Sequence, residues 1–277
     1  STLFPYTTLF RSLADVVSFS SHIGLIPCIS FSPSDMSIVN GSPAERRRFM
    51  DNAISQTDRS YLEALLQYRR VLQHRNSLLS RDAGAHADSG ILDVLAEQMA
   101  QPAARIALAR LRFLLELQPL LQEYLGTLSE KEGPFLDYRC SFLPPRSDDV
   151  NHERFVGHFM EQIRCRRQEE RVRSQTAVGV HRDDVVFFLH DREMRKYASQ
   201  GQKRSFLIAL KMALCRYFTR KLDEPPLCLF DDLFSELDRG RIESLLGLLG
   251  DFGQTIITGT EERHGYGMKV VNIFEMA

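Results

Sequence analysis

Two short runs of residues contain groups suited to binding a phosphate and a metal ion. The first is YASQGQKRS over residues 197–205. Ser199 is placed to cap a following helix, Gln202 at the third helical position completes a capping box, and Gly201 leaves room for a ligand to approach the backbone. The exposed amides of Gln200 and its neighbours at a helix N-terminus bind anions well, so the run predicts a phosphate site. The alternative interpretation is an ordinary helix start.

The second run, LCLFDDLFSELD over residues 227–238, begins as an apolar strand and ends in acids. Carboxylates at the C-terminal end of a strand lie where α/β sheets bind their ligands. Asp231 is therefore predicted to coordinate Mg²⁺, and Asp232 to orient or deprotonate an attacking water. Two acids that merely cap the next helix are the alternative. The continuation Ser-Glu-Leu-Asp over 235–238 favours the functional interpretation.

A phosphate-binding loop of the form Gly-x-x-x-x-Gly-Lys-Ser/Thr is absent from the 277 residues, in which no lysine follows a glycine. This loop usually cradles the β- and γ-phosphates of a nucleotide. We therefore expect the chain to be an N-terminally truncated fragment that contributes only part of a nucleotide site. Alone, it is expected neither to bind ATP tightly nor to hydrolyse it.

Composition indicates a globular protein with one large or two modest domains, since 43% of the residues are hydrophobic. The net charge of −1 provides no general attraction to nucleic acid, so such binding would need local clusters of arginine. Two clusters are candidates for contacts with the DNA backbone: Arg46, Arg47 and Arg48, and the segment that includes Arg164 and Arg167. Glutamates within the second segment make a solvated helix face an equal alternative.

The cysteine, histidine and hydropathy patterns of the sequence indicate no further reactive site, metal site or membrane span. The five cysteines form no Cys-x-x-Cys pair, which is typical of a reduced intracellular protein. The spacing of His152 and His158 does not suit a metal site on a helix, and His181 beside Arg182 is interpreted as structural. Since no apolar run approaches the length of a membrane span and no secretion signal is seen, we expect a cytoplasmic protein without a membrane partner.

The elements that must position these groups alternate between helix and strand. Residues 1–12 match a non-native scar and are set aside. A strand is predicted over 25–31 and a helix from Pro43, followed by helical patterns over 58–80 and 91–128 that are joined by a loop, with Pro102 expected to kink or restart the second helix. Two such helices suggest an antiparallel projecting arm.

After the arm, the pattern predicts the strand and helix segments of an α/β layer that carries a helical insertion. The predicted strands cover 135–143, 178–190, 227–230, 255–258 and 269–274. The predicted helices cover 148–173, 200–221 and 239–249.

From about residue 20 to its end the chain resembles the RecF family of DNA-repair ATPases, which are of the ABC/SMC type. The resemblance rests on these two runs and on FSPSD at 31–35, GSPAERRRFMD at 41–51, Gln73 with Arg75 and Asn76, and GVHRDD at 179–184, where Val180 replaces the family's usual proline. It implies the ABC signature at 199–202, the Walker B pair at Asp231 and Asp232, and the D-loop from Ser235 to Asp238. Thr258 and Thr260 fall where related ATPases place a switch histidine.

The resemblance also implies the fold class, an α/β partial ABC-type ATPase head with an inserted antiparallel helical arm. Residues 20–40 would be a remnant of lobe I, 41–175 the helical arm domain or lobe II, and 176–277 the C-terminal part of the head. The implied cofactors are ATP and Mg²⁺. The implied function is an ATP-dependent homodimeric clamp on single- and double-stranded DNA at gaps, acting with RecR and RecO in recombinational repair and SOS induction.

Two alternatives remain open at this point. One is an SMC-like or Rad50-like head in chromosome maintenance, although such heads insert long coiled coils that this chain lacks. The other is a non-enzymatic helical interaction module in which the carboxylates of Asp231 and Asp232 are structural.

Overall fold

A computed structural model describes residues 19–81, 89–129, 132–142, 151–234, 239–249 and 252–259. In chain order the elements up to the middle of the chain are β1 (Cys28–Phe31), α1 (Met36–Asn40), α2 (Pro43–Thr57), α3 (Arg59–Arg81), α4 (Ser89–Leu128), β2 (Pro134–Arg139), α5 (His152–Cys165) and α6 (Arg167–Arg173). They are followed by β3 (Asp184–Leu189), β4 (Arg192–Glu193), α7 (Met194–Tyr197), α8 (Gln200–Leu222), β5 (Leu227–Asp231), α9 (Arg239–Leu249) and β6 (Thr255–Thr258).

A parallel sheet in the order β1-β5-β6 brings three strand ends together. Phe31 pairs with Phe230, and Asp231 pairs with Thr258, so the C-terminal ends of these strands meet at one edge. Helix α8 packs against β1 and is buried on nearly all sides, as expected for a helix without a polar stripe. The start of α8 and this sheet edge position the runs 197–205 and 227–238.

Helices α3 and α4 pack against each other, and α4 also packs against elements of the α/β layer. Tyr61, near the start of α3, bonds to Arg110 in the middle of α4, while His74 lies beside Val94, so α3 and α4 run antiparallel as predicted. Helix α4 also contacts α8, α5 and β2, and one hydrophobic core extends from Ile29 to Phe252. The antiparallel pair of α3 and α4 thus shares one hydrophobic core with the two sheets.

Several predicted boundaries change. Helix α4 continues through Pro102, so the helix does not restart there. The predicted helix over 148–173 is two helices that meet at Arg166, and the predicted strand over 178–190 is only β3, preceded by the short 3-10 turn Val180–Arg182. The predicted strand over 269–274 lies outside the described residues. The predicted loop covered 81–90; its ends belong to α3, which extends to Arg81, and α4, which begins at Ser89, and 82–88 lie outside the described residues.

The apolar sequence of β5 is typical of a strand that is buried on both faces. In the structure, Cys228 and Phe230 are buried on one face, whereas on the other face Leu229 is 36% exposed and its register partner Ile256 is 48% exposed. The reason is that no described element covers this face of the parallel sheet. None of the described helices combines the length and the apolar content needed to cross a membrane.

Candidate functional site

The N-terminus of α8 has the capping box that the sequence predicted. The Gln202 amide N–H donates to Ser199 Oγ at 3.2 Å, and the Ser199 amide N–H donates to Gln202 Oε1 at 2.9 Å. Ser199, Gln200 and Gly201 are exposed, and a β-carbon added to Gly201 would meet no described atom within 4 Å. Packing within the described chain therefore does not require glycine at 201, and the helix N-terminus is open to another molecule.

The two acids lie at the C-terminal edge of the parallel sheet. Asp231 is the last residue of β5, and its Oδ1 accepts a 2.5 Å hydrogen bond from Thr258 Oγ1. Asp232 follows in a left-handed conformation with φ of 52°, and its amide N–H donates to the Thr258 carbonyl at 3.1 Å. Thr258 thus contacts both residues of the pair. Ser235, Asp238 and Thr260 lie outside the described residues.

Two buried cations lie just beyond the capping box, and one of them, Arg204, connects α8 to this edge. Arg204 Nη2 donates to the Asp232 carbonyl oxygen at 2.8 Å. Lys203 Nζ donates to Asn40 Oδ1 at 2.8 Å and to the Arg195 carbonyl at 3.2 Å. The helix that begins with the predicted phosphate site is therefore bonded directly to the backbone of the predicted water-orienting residue. Sequence reasoning missed this role of Arg204.

The oxygen donors at the sheet edge fit Mg²⁺ held together with a nucleotide. Among the described residues, no group of three or more His, Cys, Asp or Glu side chains is arranged to hold a metal ion without help. Mg²⁺ usually takes one or two carboxylates and fills its other positions with water and phosphate oxygens. The exposed carboxylate of Asp231 is a donor of this kind.

The arginines proposed to contact DNA occupy very different environments. Arg46 is almost wholly buried, donates to both oxygens of Asp184 at 2.7 and 2.9 Å, and also donates to the Gly41 carbonyl. Arg47 donates to the Asp183 carbonyl at 2.7 Å, and burial lowers the pKa of its guanidinium. These contacts correct the prediction for Arg46 and weaken it for Arg47, because both side chains serve to hold α2 against the start of β3.

The remaining three arginines are closer to solvent. The Arg48 side chain is 71% exposed and lies 3.4 Å from Glu45, and Arg164 is exposed. Arg167 pairs with Asp93 and is partly exposed. Arg48 and Arg164 are thus the members of the predicted set that are exposed to solvent.

A buried polar network was not predicted from the sequence. Arg110, 1% exposed, donates to Asp51 and Asp183 at 2.8 Å each and to the hydroxyl of Tyr61 at 3.2 Å. Tyr138 donates a further 2.5 Å bond to Asp183, whose pKa burial raises. The network joins α2, α3, α4 and β2 to the residue just before β3. In the sequence, the one indication of this network was the Arg-Asp-Asp end of the GVHRDD motif.

His181 is also part of this structural core. Its Nε2 lies 3.1 Å from the Thr176 carbonyl, which can only accept, so Nε2 carries the proton and Nδ1 accepts from the Tyr68 hydroxyl at 2.7 Å. Burial lowers the pKa of His181 to about 4. The structural interpretation made from the sequence is consistent with these contacts.

Comparison with known proteins identifies the family. No family model matches the chain. It is 54% identical over 261 residues to the DNA replication and repair protein RecF of Chlorobium limicola, covering 94% of this chain and 72% of that protein, and 48% identical over 252 residues to RecF of Chlorobium luteolum, covering 90% of this chain and 67% of that protein.

A solved structure has the same fold. The recombination mediator protein RecF of the RecFOR pathway, in its RecF-ATPrS form, superposes with a TM-score of 0.78 at 29% identity. The match covers 87% of this chain and 64% of the solved one, so this chain spans less than two thirds of that protein. With over half of its residues identical to a curated RecF sequence and the fold of the solved protein, this chain belongs to the RecF family of DNA replication and repair proteins.

Proposed function

We propose that this chain acts in DNA replication and repair as part of an ATP-dependent dimeric DNA clamp. The observation that supports this best is the N-terminus of α8, a capped helix start at which Ser199 and Gly201 are exposed and a β-carbon on Gly201 would meet nothing described within 4 Å. A helix N-terminus that faces away from its own chain suits a phosphate held by a second molecule. In this proposal, the second molecule is another copy that holds ATP.

Each site residue then has a separate task. Ser199, the backbone amides of Gln200 and Gly201, and Gln202 would contact the γ-phosphate of the nucleotide on the second subunit. Bound Mg²⁺ would neutralise charge on the phosphates.

At the sheet edge of the same chain, Asp231 would bind the Mg²⁺ ion, with Thr258 orienting its carboxylate. Asp232 would position the attacking water. Ser235 and Asp238 are proposed to complete the interface as a D-loop.

Hydrolysis by this polypeptide alone is not expected. The 277 residues contain no Gly-x-x-x-x-Gly-Lys-Ser/Thr loop, so the β- and γ-phosphates lack their usual cradle. The test is ATP turnover by the purified chain, compared with an Asp232→Asn variant. Turnover above background that this substitution abolishes would contradict the proposal.

DNA and the other members of the pathway are the proposed partners. The solved relative is described as a recombination mediator in the RecFOR pathway. By analogy we propose that this chain works with RecR and RecO at single-strand gaps in the cytoplasm, in recombinational repair and SOS induction. Arg48 and Arg164 are the sequence-predicted arginines that the structure leaves exposed for DNA.

Dimerisation provides the decisive experiment. A chain extended to the length of its curated relatives is expected to dimerise with a non-hydrolysable ATP analogue, as measured by light scattering. Ser199→Arg should abolish the dimer because it places a bulky cation at the phosphate contact, whereas Ser60→Arg, at another exposed serine, should not. Absence of an analogue-dependent dimer would support the non-enzymatic interaction module instead, and a dimer that survives Ser199→Arg would contradict the role of Ser199 at the phosphate.

A further inference from the structure

A groove of about 510 Å³ lies on the helical part of the molecule, apart from the residues of the nucleotide site. One wall is a single face of α3, on which Arg69, Gln73, Asn76 and Ser77 recur at helical spacing. The other wall is formed by Ser174 and its neighbour, the turn that ends α6. No function considered so far uses these residues.

The floor of the groove is held in place by buried contacts. Arg75 donates to both oxygens of Glu170 at 3.0 and 2.7 Å, and each side chain is 1% exposed. Asn76 Oδ1 accepts from both the amide and the hydroxyl of Thr176, at 2.9 and 2.7 Å. Because these bonds tie the turn to α3, the shape of the groove exists before any ligand binds.

The polar groups of the lining are available to a ligand. Gln73, Ser77 and Ser174 make no side-chain hydrogen bond to any other described residue, and the two bonds of Asn76 occupy its oxygen, not its amide nitrogen. The groove therefore offers amide and hydroxyl donors on a backbone that is held in place.

One cation lines the groove, the guanidinium of Arg69, which is 59% exposed, and none of the lining residues is acidic. Arg69 Nη2 lies 2.9 Å from Asp51 Oδ2, and the other oxygen of this carboxylate pairs with Arg110, so Asp51 is shared between two guanidinium groups. Glu170 pairs with Arg75. An anion that enters the groove would meet hydrogen-bond donors and the remaining donors of the Arg69 guanidinium.

We propose that this groove binds the sugar–phosphate backbone of nucleic acid. Arg, Ser, Asn and Gln side chains make the phosphate and sugar contacts that position proteins on DNA, and every lining residue except Leu72 is of one of these types. No aromatic side chain lines the groove, which argues against recognition of unstacked bases. The inference rests on the proposed role in DNA repair and adds the place at which the backbone is held.

The test uses the purified 277-residue chain without nucleotide, and labelled duplex DNA at low salt, followed by fluorescence anisotropy. Gln73→Glu keeps the size of the side chain but adds a negative charge inside the groove. Gln122→Glu makes the same change at an exposed position of α4 and serves as the control. Thermal melts of both variants should match that of the unmodified chain, because both side chains are exposed.

Gln73→Glu is expected to weaken duplex affinity roughly tenfold, the effect of losing one hydrogen bond to a charged group. Gln122→Glu should leave it unchanged. A single strand of the same sequence should show the same loss, because the backbone chemistry is shared.

The proposal is overturned if Gln73→Glu binds DNA as well as the unmodified chain, if the unmodified chain binds no DNA at low salt, or if it captures uncharged extended peptides instead. These outcomes are distinct from failure of the proposed clamp, which would appear as a missing analogue-dependent dimer.

Discussion

Arg110 Nη1 lies 2.8 Å from Asp183 Oδ2, and both side chains are almost completely buried. Removing one partner of such a pair leaves an unpaired charge in a medium of low dielectric constant. Arg110→Met is therefore expected to lower the free energy of unfolding by about 3–5 kcal/mol. Urea denaturation would measure this, with Arg112→Met on the exposed side of the same helix as the control. Equal losses for the two variants would show that the buried network contributes little.

The pH dependence of stability should report on His181. Its pKa in the folded chain, about 4, is below the ordinary value of 6.5, so the folded state binds fewer protons than the unfolded state between these values. Stability is therefore expected to fall as the pH drops below about 6.5 and to level off below about 4, with a total loss of about 3 kcal/mol from this group.

The matched variants are His181→Gln, which should remove this part of the profile, and His74→Gln, which replaces an exposed histidine and should retain it. Identical pH profiles for the unmodified chain and His181→Gln would refute the assignment.

Two glycines should respond to the same substitution with opposite signs. Gly179 has φ of 134°, and an added β-carbon would overlap the Tyr68 hydroxyl, so Gly179→Ala should destabilise the fold by about 2 kcal/mol or more. Gly157 is exposed within α5, where a β-carbon meets nothing described within 4 Å, and Gly157→Ala should stabilise it by about 0.5–1 kcal/mol. Thermal melts of the two variants measure both effects. Shifts of the melting temperature in the same direction would contradict the prediction.

The contribution of Ser199 to helix capping can be measured separately from any phosphate contact, because it affects the free energy of unfolding in the absence of nucleotide. Ser199→Ala should lower the free energy of unfolding by about 1 kcal/mol because the Gln202 amide loses its acceptor. Ser199→Gly should cost only a few tenths of a kcal/mol. An unfolding titration without nucleotide gives both values. If Ser199→Ala were as stable as the unmodified chain, the capping box would be structurally unimportant.

The sequence predicted those elements whose signals are local. The start of α8 could be read from Ser199 and Gln202, and the edge of the parallel sheet from the apolar strand before Asp231, because caps and buried strands depend on neighbouring residues. Helices α3 and α9 were predicted to within one residue at each end, since their apolar residues recur at helical spacing.

Long-range ion pairs could not be predicted in the same way. Arg46 and Asp184 are 138 residues apart, and an arginine that pairs inside the fold looks in sequence like one that meets DNA. The same applies to Arg110, which lies 73 residues from Asp183. Only the fold determines which arginines are enclosed, so the arginine clusters were where sequence reasoning was weakest.

The peptide on either side of Asp232 is held by two separate elements, through Thr258 on β6 and Arg204 on α8. Its left-handed backbone is a conformation that asparagine also adopts readily. Asp232→Asn should therefore remove a negative charge while the main chain keeps its path. Any change in nucleotide chemistry caused by that single exchange can then be attributed to the carboxylate alone.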